Sequence, residues 1–191
     1  MNSSQTDRSL HMPLKARFLQ QAKHEYSPRQ RIALLLVAGL VFLVVLPYIL
    51  MVLSATLDVW LSLLRFAHSF ITPLAGGLMI VGGWLLGIWA NYAQFTIGRG
   101  TPVPLMATQR LIVQPPYTYC RNPMALGAIV MYLGESVVLG SFSAVGLVLL
   151  GATGLLTYIK RIEEQELVAR FGGDYRQYKQ RTPFLIPRFR R

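Results

Sequence analysis

The 191-residue chain is 53% hydrophobic and only 14% charged, with a mean hydropathy of +0.41, which excludes an ordinary soluble domain with a polar surface. Its net charge of +11, from 19 Lys and Arg against 8 Asp and Glu, would point to nucleic acid in a soluble protein, but here it must first be read against membrane topology. The single Cys120 excludes an internal disulfide framework and a Cys-cluster metal site, and His11, His24 and His68 stand at no metal-ligand spacing.

Residues 1–31 form a basic N-terminal segment. Leu14, Phe18, Ala22 and Tyr26 recur every four residues beside Lys15, Arg17 and Lys23. That pattern reads either as a short helix lying in the membrane interface or as a disordered basic tail. A cleaved signal peptide does not fit: the first apolar run begins late, is too long for such a segment and lacks a small-residue cleavage site.

Residues 32–57 and 70–97 carry no charge, and each is long enough to cross ~30 Å of hydrocarbon as one helix. Pro47 is expected to kink the first of them, with neighbours satisfying the freed carbonyl. Residues 123–159 carry one charge, Glu135, and are too long for a single span. The stretch Leu139-Gly140-Ser141-Phe142-Ser143 predicts a break, since glycine suits a helix C-cap and serine an N-cap. Helices are therefore expected over 124–139 and 143–159, paired as a hairpin and each slightly short for a full crossing. Glu135 is expected near the outer surface, snorkelling or bonded in packing.

The fold class expected is thus all-α: a polytopic membrane protein with four transmembrane helices and a cytoplasmic, amphipathic helical C-terminal tail. It divides into residues 1–31, a basic cytoplasmic or interfacial tail; residues 32–97, two transmembrane helices; and residues 98–191, a catalytic loop, the hairpin and a C-terminal cofactor-binding tail. With four spans, 18 of the 19 Lys and Arg fall in segments sharing one side. The positive-inside rule then places both termini in the cytoplasm, in an inner or plasma membrane, and accounts for the basic charge without nucleic acid.

The two ends of the hairpin meet on that side. Arg121-Asn122-Pro123 enters it and Lys160-Arg161-Ile162-Glu163-Glu164 leaves it. Pro123 suits a first helical turn, Asn122 an N-cap and Arg121 a snorkelling position. Glu164 can pair with Lys160 and Glu166 with Arg170 at i,i+4. Glu163 and Glu164 point ~100° apart, so one can face a pocket while the other braces Lys160 or Arg161. Beyond them, Leu167 and Phe171 give an apolar helix face, Gly172-Gly173 a cap, and Asp174 the start of a second short helix carrying Tyr175 and Tyr178. Pro183 and Pro187 end it, and Phe184, Leu185 and Ile186 turn back to the bilayer. Cys120 reads as a small packing residue.

In order, the chain shows Gly100-Thr101-Pro102, Pro116-Tyr117-x-Tyr119-x-Arg121-Asn122-Pro123-Met124, the hairpin, Glu163-Glu164-x-x-Leu167, Phe171-Gly172-x-x-Tyr175-x-x-Tyr178, and Pro183-x-x-Ile186-Pro187. Over residues 80–188 this resembles the integral-membrane methyltransferases that include isoprenylcysteine carboxyl methyltransferase and the phospholipid methyltransferases. It departs from their pattern at Ala125, where an aromatic is usual, at Pro115-Pro116-Tyr117 in place of Gly-Pro-Tyr, and at Gly82-Gly83-Trp84-Leu85.

The resemblance implies S-adenosylmethionine as methyl donor. It implies catalytic roles for Arg121, Glu163 and Glu164, and a cofactor pocket that adds Tyr117, Tyr119, Asn122, Tyr175 and Tyr178. The chemistry is consistent: a guanidinium fork suits the donor's carboxylate, an acid suits its ammonium or ribose diol, and aromatic faces suit its sulfonium. Tyr132 is counted with those aromatics. Arg188 is the candidate substrate contact, and no metal or nucleic acid is implied. The acceptor expected is membrane-embedded or lipophilic, an isoprenylcysteine-type carboxylate first and a phosphatidylethanolamine-type amine second. The rival from another class, a membrane transport or lipid-binding module, is disfavoured by charge-free spans.

Overall fold

The computed structural model describes residues 28–66, 70–98 and 108–188, and among these every regular element is helical. The interfacial helix expected within residues 1–31 and the Gly100-Thr101-Pro102 loop lie outside the described residues.

Helix α1 (Pro28–Leu40) runs through a π-helical turn (Val41–Val45) into α2 (Leu46–Trp60) without a break. Pro47 explains the turn. The Leu46 N–H reaches back five residues to the Val41 carbonyl, and in that register the next donor would be Pro47, which has none. The carbonyl left over is that of Phe42, and it accepts the Tyr132 hydroxyl at 2.6 Å. A neighbouring helix therefore satisfies the backbone group that proline frees, as an apolar surrounding demands.

Helices α3 (Ile71–Thr96) and α4 (Pro123–Leu139) pack along a glycine seam. A Cβ added at Gly83 would sit 2.4 Å from the Gly127 carbonyl oxygen, and one at Gly76 would sit 2.7 Å from that of Gly134. Backbones this close suit membrane helices, which associate through packing because lipid is as apolar as their side chains. The buried Ala90 and Ala93 continue the seam toward Ile112 and Tyr117.

Gly140 adopts the left-handed conformation (φ 64°, ψ 27°) that ends α4, and Ser141 caps α5 (Phe142–Tyr158), its Oγ accepting from the Ala144 N–H at 3.0 Å. The cap is thus Ser141, and the helix starts one residue before the expected 143. Asp58 from the end of α2 accepts from the Ser143 N–H at 3.3 Å, tying the first long helix to this turn.

Among the described residues three helices are long and apolar enough to cross a membrane: Ile32–Trp60, Ile71–Thr96 and Phe142–Arg181. Pro123–Leu139 is apolar but has 17 residues, about 25 Å of helix. The apolar stretch of Phe142–Arg181 ends at Ile159, where a second π-helical turn (Ile159–Glu163) brings in Lys160 and Arg161.

Helix α6 (Glu164–Arg181) follows, broken at Gly172 by φ 54° and ψ −118°, a conformation that glycine alone adopts without strain. Helical residues resume at once, so the expected cap and second helix appear as one kinked element. After Arg181 the chain turns at Thr182 and Pro183 and straps beneath residues 119–122. The Arg121 N–H donates to the Pro183 carbonyl at 2.9 Å, and the Arg188 N–H to that of Tyr119 at 3.1 Å. Asn122 occupies the N-cap position of α4 but makes no side-chain cap; its Nδ2 instead donates to the Phe184 carbonyl at 2.9 Å, holding the strap.

Candidate active site

The loop before α4, the turn into α6 and α6 itself border a cavity lined by Tyr117, Arg121, Asn122, Glu163, Glu164, Tyr175 and Tyr178. These are seven of the residues singled out from sequence. Gln94, Glu166 and Arg170 join them. Tyr119 and Arg188 lie elsewhere, on a separate cavity beyond Tyr178. Tyr132 belongs to neither, since its hydroxyl is engaged in the helix packing described above.

Glu164 is the brace. Its Oε1 lies 2.9 Å from Arg121 Nη1, with side-chain exposures of 4% and 10%, and its Oε2 accepts from Lys179 Nζ at 2.6 Å. The expected partner Lys160 is exposed and makes no ion pair among the described residues. The reason is geometric: the π turn rotates the helix between Lys160 and Glu164, so i,i+4 no longer means the same face. Lys179, two turns past the Gly172 kink, takes the place.

The Arg121–Glu164 approach is an ion pair by distance, yet among the described residues neither Nη1 nor Oε1 has an aligned hydrogen bond and Arg121 Nε has no partner. A buried guanidinium therefore keeps donors free beside the cavity. Phe184 packs 5.5 Å from its centre and holds its plane.

Glu163 has no ion pair among the described residues and faces the cavity. Burial pushes its carboxyl above the usual range, and the neighbouring Glu166 and Glu164 charges push the same way. It is a carboxylate short of a cation.

The tyrosines line the same cavity. Tyr117 is buried, its hydroxyl accepts from Gln94 Nε2 at 2.7 Å, and its carbonyl accepts the Tyr178 hydroxyl at 2.7 Å. The rings of Tyr175 and Tyr178 lie 6.1 Å apart. Burial raises the hydroxyl pKa of all three, so they stay neutral and present uncharged faces. Arg170 closes the rim, bonded to Glu166 at 3.2 Å and to the Thr108 carbonyl.

Gln94 and Lys179 escaped the sequence reading. Gln94 carried a signal, as an amide three residues before the end of an apolar span; Lys179 carried none, because its role depends on the turn at Gly172.

The cavity has the complement of a small zwitterion bearing a second positive centre. Among the described residues Arg121 Nε is an orphaned donor for a carboxylate, Gln94 Oε1 an orphaned acceptor, and Glu163 an acid without an ion pair. S-adenosylmethionine has those features, so the residues fit it. Among the described residues no group of three or more His, Cys, Asp or Glu is placed to hold a metal.

A family model described as phospholipid methyltransferase matches residues 71–174, the region that contains the glycine seam, the hairpin and both acidic residues. Two curated relatives match the chain. Methanethiol S-methyltransferase 1 of Bradyrhizobium diazoefficiens is 36% identical over 92 residues, covering 48% of this chain and 29% of that protein. Methanethiol S-methyltransferase of Mycobacterium tuberculosis is 28% identical over 116 residues, covering 61% of this chain and 44% of that protein. The chain thus spans less than half the length of the curated relatives it matches.

Proposed function

The chain belongs to the phospholipid methyltransferase family, and from that premise we propose that it is a membrane-bound, S-adenosylmethionine-dependent methyltransferase acting on a lipophilic acceptor that arrives through the bilayer. One observation carries the reading: Arg121 with unused donors, an unpaired Glu163 and three neutral tyrosines line a single cavity at the end of the apolar hairpin.

When bound, S-adenosylmethionine supplies a methyl group made electrophilic by its sulfonium. Arg121 holds the donor's carboxylate through its free N–H groups, as a planar fork does best. Glu164 and Lys179 keep that fork in place. Glu163 takes the ammonium or ribose diol, and the cation restores the charge that burial disfavours. Tyr117, Tyr175 and Tyr178 face the sulfonium and exclude water. Since methyl transfer is a direct displacement, the chain's task is alignment and desolvation rather than covalent catalysis.

Both acids are then engaged, Glu164 by two cations and Glu163 by the donor. An acceptor already anionic near neutral pH asks least of this cavity. That supports the isoprenylcysteine-type carboxylate over the phosphatidylethanolamine-type amine, which must lose a proton. The names of the two relatives support a second acceptor, an alkyl thiol, which reacts as the thiolate and so also has to lose a proton.

The membrane arrangement belongs to the same proposal. Pro123–Leu139 makes a fourth crossing with the help of local thinning or flanking side chains. Both termini and residues 98–122 share the cytoplasmic side, where 18 of 19 Lys and Arg then fall. Residues 98–191 act as the catalytic unit.

The test uses purified protein in detergent and methyl-labelled S-adenosylmethionine. Label should pass to a farnesylcysteine peptide or an alkyl thiol, and Arg121→Ala should abolish both transfer and donor binding. Absence of donor binding by the native chain would refute the enzyme reading. Label in phosphatidylethanolamine alone would refute the anionic acceptor.

A further inference from the structure

Beyond the wall made by Leu111 and Tyr178 lies a second cavity, of about 610 Å³, within the size range of ligand pockets. Arg181 and Arg188 line it together with Thr118 and Tyr119, and Asp174 is the one acid on its wall among the described residues. The two arginines come from different segments. Arg181 ends α6, and Arg188 closes the strap, its backbone held on the Tyr119 carbonyl at 3.1 Å. Both side chains are exposed, and neither makes an ion pair among the described residues.

Apolar side chains stand exposed around it. Val113, on the cavity wall, is 50% exposed, and Ile186, on the strap, is 79% exposed. Tyr119 packs on Trp89 with ring centroids 6.3 Å apart. Trp89 stands about two turns before the end of α3 and is 45% exposed, a placement that suits an interfacial aromatic. A cavity with two unpaired cations inside and an apolar, interfacial rim matches an anionic amphiphile.

We infer that this cavity binds the phosphate of an anionic phospholipid from the adjacent leaflet. Arg181 and Arg188 hold the phosphate, and the acyl chains leave past Val113, Ile186 and Trp89. The site lies across the wall from the methyl-donor cavity and does not depend on the methyl-transfer reading. Because Leu111 and Tyr178 face both cavities, a bound lipid also steadies one wall of the donor site.

The experiment is lipid retention by the purified full chain, read by native mass spectrometry after reconstitution with phosphatidylglycerol or with phosphatidylcholine. The native chain should retain phosphatidylglycerol about tenfold more, a difference of ~1.4 kcal/mol. Arg181→Gln/Arg188→Gln should remove that preference, whereas Lys160→Gln/Arg161→Gln, which deletes the same charge on exposed positions elsewhere, should keep it. Asp174→Asn should strengthen retention. Equal retention of the two lipids by the native chain overturns the inference without any variant. So does equal loss in the two double variants, which would mean diffuse attraction to a basic tail. Full displacement of the lipid by glycerol 3-phosphate would assign the cavity to a soluble phosphate and overturn the lipid.

Discussion

Arg121 Nη1 and Glu164 Oε1 stand 2.9 Å apart, joining the residue before the hairpin to the first residue of the helix that follows it. The pair is nearly buried, and Lys179 completes it from beyond the Gly172 kink. One carboxylate thus gathers three separated segments around the cavity.

Glu164→Gln should therefore cost more than its distance from the donor suggests. It leaves Arg121 buried without its counter-ion, a change worth ~3–5 kcal/mol when a buried pair loses one partner. Lys179→Gln removes a side chain that is 45% exposed, and should cost less than ~1 kcal/mol. Thermal unfolding in detergent ranks the two, and equal effects would show that Glu164 is not the centre of the cluster. Donor affinity should fall in the same order.

Glu163 sets a pH dependence. Its folded-state pKa is raised above the ordinary 4.5, so the folded chain keeps a proton that the unfolded chain has lost. Its contribution to stability is complete below 4.5 and is lost as pH rises through the folded value. Binding a cationic donor favours the ionised form, so donor affinity should rise with pH over the same window while stability falls. Titration of the dissociation constant by calorimetry checks this, and Glu163→Gln should flatten the curve. A native profile as flat as the variant's would mean that Glu163 does not meet the donor's cation.

The helices, the break at Gly140 and the meeting of the two hairpin ends were legible because hydropathy and capping residues act locally. Even the split between Glu163 and Glu164 followed from helix geometry. The partners of Glu164 were not legible. The i,i+4 rule offered Lys160, but a π turn inserted between them moved that side chain to another face and left the position to Lys179. The motif groups Tyr119 with the pocket tyrosines, but Tyr117 and Tyr119, two residues apart in an irregular loop, line different cavities, and Tyr119 packs on Trp89. The consequence of Pro47 was foreseen only as a need. That Tyr132 would meet it required knowing which helix lies beside Phe42.

Tyr132→Phe tests that last contact. It removes the hydroxyl that satisfies the Phe42 carbonyl and leaves an unpaired acceptor in apolar surroundings. The expected loss is ~0.5–2 kcal/mol, the range found for hydrogen bonds between membrane helices. Donor affinity should not change, because Tyr132 lies outside the cavity. Unfolding in mixed micelles together with donor binding separates the two. A variant of native stability would show that the carbonyl finds another donor.

Adjacent glycines give an internally controlled test of the α3–α4 seam. A methyl at Gly83 would come within 2.4 Å of the Gly127 carbonyl oxygen, whereas one at Gly82 meets nothing within 4 Å. Both sit in the same turn of helix, so the gain in helix propensity from Gly→Ala is common to both. Gly82→Ala should be neutral or stabilising by up to ~1 kcal/mol. Gly83→Ala must push the α3 and α4 backbones away from each other and should destabilise by ~1–3 kcal/mol, as overpacking does. That displacement also moves the N-terminal end of α4, which carries Arg121 into the cavity, so donor binding should weaken with Gly83→Ala alone. If both variants unfold alike, the helices are not held at the distance that the glycines permit, and the position of Arg121 must be set by the strap instead.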